Sequence, residues 1–149
     1  MTLKSAINFF EGLKTETTKK SELKIYEKFI YTLAELENRE FLKDEIQSIE
    51  TELDSLQLES NPENRKKFFK KTLNKFENYL KDTFYLTNKG YYTQLYGGLG
   101  LSFGLMCGVA ILSNLGSLGI SLGLIGGMVV GSIIGRNKDA EVKAAGNML

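Results

Sequence analysis

Apolar residues recur every third or fourth position through the first part of the chain, and beyond Lys89 they stop alternating with charge altogether. Leu3, Ala6, Ile7, Phe10 and Leu13 share one face and predict a short amphipathic helix over about Thr2 to Lys14. From Ser21 to about Leu58 there is neither Gly nor Pro. Leu23, Tyr26, Ile30 and Leu33, then Leu42, Ile46, Ile49, Leu53 and Leu56, step by threes and fours. This predicts one long helix bearing coiled-coil seams, with a phase shift at Glu35 to Arg39. Pro62, the single proline, follows Asn61, a good N-cap, and predicts the start of a second long helix there. Its stripe is Phe69, Leu73, Phe76 and Leu80, continued by Phe84. A short turn between two such helices predicts antiparallel neighbours.

Gly90 to Gly135 reads differently. These 46 residues carry no charge. A hydrocarbon core of ~30 Å takes about 20 helical residues, so the stretch is too long for one crossing and suits two. The expected spans are about 92–112 and 118–135, with Ser113, Asn114, Gly116 and Ser117 as the turn. The second span holds nine Leu, Ile or Val residues between Leu118 and Ile134. At roughly −0.3 to −0.6 kcal/mol each they favour insertion by about 3–5 kcal/mol, before Gly and Ser subtract.

Within these spans Gly100, Gly104 and Gly108, and Gly119, Gly123, Gly127, Gly131 and Gly135, fall at every fourth position. Glycine costs a helix in water roughly 1 kcal/mol relative to Ala. In lipid, where helices associate by close contact, a ridge without side chains is a packing surface. The spacing therefore predicts a glycine-zipper interface, either inside one hairpin or between copies of the chain. Ser113, Ser117 and Ser121 form a second small-residue row whose hydroxyls are placed to bond across helices.

Charge divides the chain in the same place. Net charge is +1 overall, but residues 1–60 carry 8 basic and 13 acidic side chains and residues 61–89 carry 8 and 3. An acidic helix folded beside a basic one follows. Tyr85, Tyr91, Tyr92 and Tyr96 cluster where charge disappears, at the position of interfacial anchors. Lys89 precedes the uncharged region and Arg136 and Lys138 follow it, which puts both ends of the hairpin, and both termini, on the cytoplasmic side. The N-terminal stretch lacks the apolar core of a signal peptide.

The chain has no His and one Cys, Cys107. His-based acid–base or nucleophilic catalysis, His-ligated metal sites and an intrachain disulfide are thereby excluded. No phosphate-loop, nucleophile-elbow or zinc motif occurs. GGLGLSFG lacks the Lys that a phosphate loop needs and sits in an apolar span. The uncharged region resembles, in broad outline, that of small two-span phage holins and pore-type defence effectors. The long charged N-terminal part departs from a minimal holin, and the chain is assigned to no family.

The expected fold is an all-α membrane protein: an N-terminal amphipathic helix and antiparallel coiled-coil-like hairpin in a cytosolic domain (residues 1–89), a two-span transmembrane hairpin (90–135) and a short cytosolic tail (136–149). The expected function is non-enzymatic, without cofactor, nucleic acid or small-molecule substrate. Membrane lipid and further copies of the chain, or other membrane subunits, are the expected partners. Self-association through the glycine ridges would build a pore or permeabilise the bilayer. A membrane-anchored structural or adaptor subunit is the alternative.

Overall fold

The computed structural model describes residues 1–60, 62–111 and 116–149. Asn61, Ser113 and Asn114, which the sequence assigns to a cap and a turn, lie outside these. The described residues form six α-helices and no strand: α1 (Leu3–Glu16), α2 (Lys20–Glu37), α3 (Lys43–Ser55), α4 (Arg65–Phe84), α5 (Tyr91–Ala110) and α6 (Ser117–Ala144). They fall into two compact units, Met1–Leu86 with Leu149, and Thr87–Met148.

In the first unit α1 begins at Thr2, whose hydroxyl accepts from the Ser5 N–H at 3.1 Å. The helix buries Leu3, Ala6 and Phe10. Phe10 stacks on Phe29 of α2 with ring centroids 4.2 Å apart and meets Phe69 of α4 edge-on at 5.6 Å. Tyr26 meets Phe69 edge-on at 5.4 Å. This aromatic cluster joins three helices at one point. Such pairs add about 0.5–1.5 kcal/mol each beyond area burial. Deeper in the same core lie Leu33, Leu36, Ile49, Leu53, Leu56, Leu73, Phe76 and Leu80.

The single long helix expected over Ser21–Leu58 is two helices. The chain leaves the α conformation after Asn38 and re-enters it at Lys43, where the Glu45 carboxylate accepts from the Leu42 N–H at 2.8 Å. A straight helix cannot keep two out-of-phase stripes on one core. The break re-aims the second stripe so that Ile49 and Leu53 turn inward. Leu42, expected in the seam, is the residue before α3 and is 73% exposed. Ile46 is half-buried. Ile49, Leu53 and Leu56, with Phe69, Leu73, Phe76 and Leu80, are buried in the unit's own core.

Nor does α4 start at Pro62. Asn64 is its N-cap and accepts from the Lys67 N–H at 3.0 Å. Asn64 is as good a capping residue by type as Asn61, and its side chain satisfies an orphan N–H three residues on. α3 and α4 do run antiparallel. Ser48 and Tyr79 share a hydrogen bond at 2.6 Å, and Glu52 pairs with Lys75 at 3.1 Å. Lys28 of α2 pairs with Glu77 of α4 at 2.8 Å. The acidic and basic segments thus meet as their charges require, although exposed pairs contribute only about 0–1 kcal/mol each. α4 ends on Tyr85, a non-glycine residue in the left-handed region at φ 57°, and the Leu86 N–H returns to Leu80 O at 3.2 Å.

The second unit is a pair of antiparallel helices. α5 follows Gly90, whose φ of 79° suits glycine. α6 continues unbroken past Gly135, so Arg136 to Ala144 extend the same helix. It closes on Gly146 at φ 74°, with the Asn147 N–H bonded to Val142 O at 3.0 Å. Ser121 donates to Ser117 O of its own helix at 3.1 Å rather than across to α5.

The Tyr26 hydroxyl is fully buried and has no hydrogen-bond partner among the described residues. Burial, and next the Glu22 carboxylate, push its phenol above the ordinary value of 10.0. A raised acid favours the protonated fold, so this group's contribution is lost as pH rises through the unfolded value and beyond. Tyr26→Phe removes an unsatisfied buried oxygen and is expected to raise stability by about 1 kcal/mol. It is also expected to reduce the alkaline loss. Thermal unfolding by circular dichroism at neutral and alkaline pH measures both; a destabilised variant with an unchanged alkaline slope refutes the assignment.

Candidate functional site

The feature that sets the second unit apart is how closely its two backbones approach. A methyl group added at Gly100 or Gly104 would strike the carbonyl oxygen of Gly127 or Gly123, and one at Gly123 or Gly127 would strike that of Gly104 or Gly100. One at Gly108 would lie 2.8 Å from Gly119 O and 3.1 Å from the Ile120 Cα. At Gly131 it would meet the Tyr96 carbonyl, and at Gly135 the Tyr92 carbonyl. Each step of four up α5 is matched by a step of four down α6. The two glycine rows read from the sequence are therefore brought together, facing one another within one chain. Backbone atoms cannot rotate aside as a side chain can, so any Cβ on this seam must push the helices apart.

Gly97 also faces the seam, where a Cβ would lie 3.2 Å from the Ser132 hydroxyl oxygen. Its register is one residue off the row of four, which hid it from the periodicity. Gly98 and Gly126, each beside an inward glycine, have open space around them.

With the inner ridges stripped of side chains, the apolar ones point outward. Leu95, Leu99, Phe103, Met106 and Val109 of α5 are exposed, as are Leu118, Leu122, Ile125, Val129 and Ile133 of α6. Among the described residues, Tyr31, Leu42 and Tyr85 are the only exposed large hydrophobic side chains outside this unit. α6 is long and apolar enough to cross a membrane, with mean hydropathy 2.0, and only 17% of that window is buried.

At the open end of the pair, the structure adds a residue that sequence reasoning missed. Asp139 is 9% exposed and its carboxylate accepts from the Tyr92 N–H at 3.0 Å, the Thr93 N–H at 3.1 Å and the Thr93 hydroxyl at 2.6 Å. The Tyr91 N–H bonds Asn88 O at 3.0 Å. Gly90, the N-cap of α5, has no side chain to offer. An acid from the far helix thus caps α5, satisfying donors that a helix start leaves orphaned and placing a negative charge at its positive end. The only sequence signal was an acidic residue one helical turn beyond the last glycine of the row.

The expected anchors fall in two places. Tyr91, Tyr92 and Tyr96 are half-buried, with rings 5.1 Å (Tyr91–Tyr92) and 6.4 Å (Tyr92–Tyr96) apart. Lys89, Arg136 and Lys138 are exposed beside the same end of the pair, Lys138 bonded to Glu141 at 2.6 Å. Tyr85 is exposed and belongs to the first unit.

No protein family, curated protein or solved structure matches the chain.

Two neighbouring glycines offer opposite outcomes. Gly127→Ala puts a methyl group against the backbone of Gly100 and Gly104 and is expected to destabilise the second unit, outweighing the roughly 1 kcal/mol of helix propensity that Ala contributes. Gly126→Ala meets nothing and should stabilise by about that amount. Thermal unfolding in mild detergent compares them; equal shifts refute the seam. By the same assay Asp139→Ala should cost about 2 kcal/mol, with Asp139→Asn, which keeps an acceptor oxygen, costing less.

Proposed function

We propose that the chain is a non-enzymatic integral membrane protein in which α5 and α6 cross the bilayer as a two-span glycine-zipper hairpin and residues 1–86 form a cytoplasmic helical unit. The observation that carries this reading is the inversion of the second unit: glycine backbone inside, Leu, Ile, Val, Met and Phe outside, and no charge from Gly90 to Gly135. Twenty residues of α5 and nineteen from Ser117 to Gly135 of α6 each span about 30 Å, the thickness of a hydrocarbon core. Lys89, Arg136 and Lys138 then lie at the cytoplasmic headgroups, with Tyr91, Tyr92 and Tyr96 at the interface.

An anchoring role, holding the helical unit at the membrane as a structural or adaptor element, fits this geometry better than a pore. Both glycine rows are occupied by each other, so a copy of the chain cannot use them unless the hairpin opens. Seven of the nine seam residues of the first unit, all but Leu42 and Ile46, are likewise buried in its own core. The hairpin carries no Asp, Glu, Lys, Arg or His in its spans to line a conducting path.

Reconstitution of the full chain into liposomes tests this. It should float with the vesicles and resist extraction at alkaline pH, hide both flanks of the hairpin inside sealed cytoplasmic-face-in vesicles, and release no entrapped dye. Dye release that Gly127→Ala abolishes would establish the pore instead. Recovery in the soluble fraction would remove the membrane assignment.

A further inference from the structure

In the first unit, α4 carries a stripe of uncompensated positive charge on its water-facing surface. Lys66, Lys70 and Asn74 follow one another at four-residue intervals, and Lys67 and Lys71 form the adjoining row. All five are exposed. Among the described residues the side chains of these four lysines take part in no ion pair or hydrogen bond. The charges that border the stripe are spent on one another. Lys75, next in the second row, pairs with Glu52 at 3.1 Å, Glu77 with Lys28 at 2.8 Å and Asp82 with Lys81 at 3.3 Å. Glu77 and Asp82 are the only acids in α4. The helix therefore presents four lysines to water with no carboxylate of its own left to answer them.

We infer that this face of α4 docks on the anionic lipid of the cytoplasmic leaflet. The inference rests on the membrane reading, which supplies the surface; it adds which lipid the protein prefers and which face of the helical unit meets it. Residues 85–89 separate the end of α4 from the uncharged stretch, so on that reading the chain tethers the helix end within about 20 Å of the headgroups. A tethered cationic face meets the surface at high effective concentration. At physiological salt a charge feels that surface over only about 8 Å, so the four lysines engage together when the helix lies along it. Each then favours the docked state about fivefold. The acidic segment of a second copy, with 13 acidic and 8 basic side chains in residues 1–60, offers charge of the same sign, but no tether holds it there.

A dye attached through Asn74→Cys, in a full chain that also carries Cys107→Ala, reports contact with the bilayer by quenching from a nitroxide-headgroup lipid. The protein is reconstituted into vesicles of phosphatidylcholine with and without phosphatidylglycerol, each containing that quencher. Quenching should be strong with phosphatidylglycerol, weak without it, and released by added salt. Lys70→Gln with Lys71→Gln should lower the ratio of quenched to unquenched protein about 25-fold, from two charges at about fivefold each. Lys4→Gln with Lys43→Gln removes two equally exposed charges elsewhere on the unit and should leave the ratio unchanged. Equal loss in both pairs means attraction to net charge without a docking face, and overturns the inference, as does quenching indifferent to phosphatidylglycerol. Flotation with phosphatidylcholine vesicles reports insertion separately, so a protein that inserts while its α4 dye stays unquenched refutes this face and leaves the membrane reading standing. Shielding of the dye that grows with the protein-to-lipid ratio, and not with phosphatidylglycerol, overturns the inference in favour of a second copy of the chain.

Discussion

The second unit rests on the absence of a Cβ along the line where α5 and α6 touch. Carbonyl oxygens of one helix lie where the side chains of the other would begin, from the Tyr92 end of α5 to Gly108. Such contact offers dispersion and weak Cα–H···O bonding over the whole seam, but it tolerates no substituent. It also forces the rest of the unit's design. Side chains denied the inside must go outside, and since the intervening residues are Leu, Ile, Val, Met and Phe, the outside is apolar. On the proposed membrane reading, the helices that glycine weakens in water become the sensible choice in lipid, where the backbone must satisfy its own hydrogen bonds and helices gain from proximity.

A seam of uniform glycine has one weakness: sliding by a turn replaces one glycine with the next at little cost. The register needs a device at its end. Asp139 meets that need by tying a fixed position on α6 to the first-turn N–H groups of α5, 46 and 47 residues away in sequence. A one-turn slip would leave the carboxylate off the helix start and the N–H groups unpaired. On the proposed membrane reading, where water near the bilayer surface competes poorly for such donors, that penalty grows. The cap and the ridge are thus complementary: one sets how close the helices come, the other sets which residues meet.

How much of this was visible in the sequence depended on the range of the interaction that decided it. The glycine rows were legible as rows because period and residue type together leave few alternatives; that Gly100, Gly104 and Gly108 face Gly127, Gly123 and Gly119 within one chain was one of two arrangements the spacing allowed. The helices of the first unit were legible in kind and less so in extent. Nothing local distinguishes a phase shift inside one helix from a break between two, and the core's demand that Ile49 and Leu53 face inward settled it at Asn38–Leu42. The start of α4 fell three residues later than Asn61 and Pro62 suggested, capped by Asn64, whose side chain accepts from the Lys67 N–H. Leu42 matched the heptad yet lies outside the seam because it precedes the helix that carries the stripe. Asp139 was invisible because its partners are backbone N–H groups, which every residue but proline possesses. Whether the glycines serve one chain or several was also illegible: periodicity describes a surface and says nothing about whose surface covers it.

That last distinction governs what the molecule can do. The first unit encloses most of its apolar seam, with Leu42 left exposed, and presents charged helices. The second encloses only backbone and presents an apolar surface on nearly every side above the Asp139 end. A partner protein covering that surface would have to surround the pair, whereas lipid does so without specific shape. On the proposed membrane reading, lipid is the occupant of the outer face. Any further copy of the chain must then bind through Leu, Ile, Val and Phe side chains that compete with acyl chains of similar polarity. Association on those terms is weak, since lipid tails are as apolar as the side chains themselves. With its glycine ridges already paired, the hairpin would have to open to use them for joining others, and the proposed anchoring role draws on that packing.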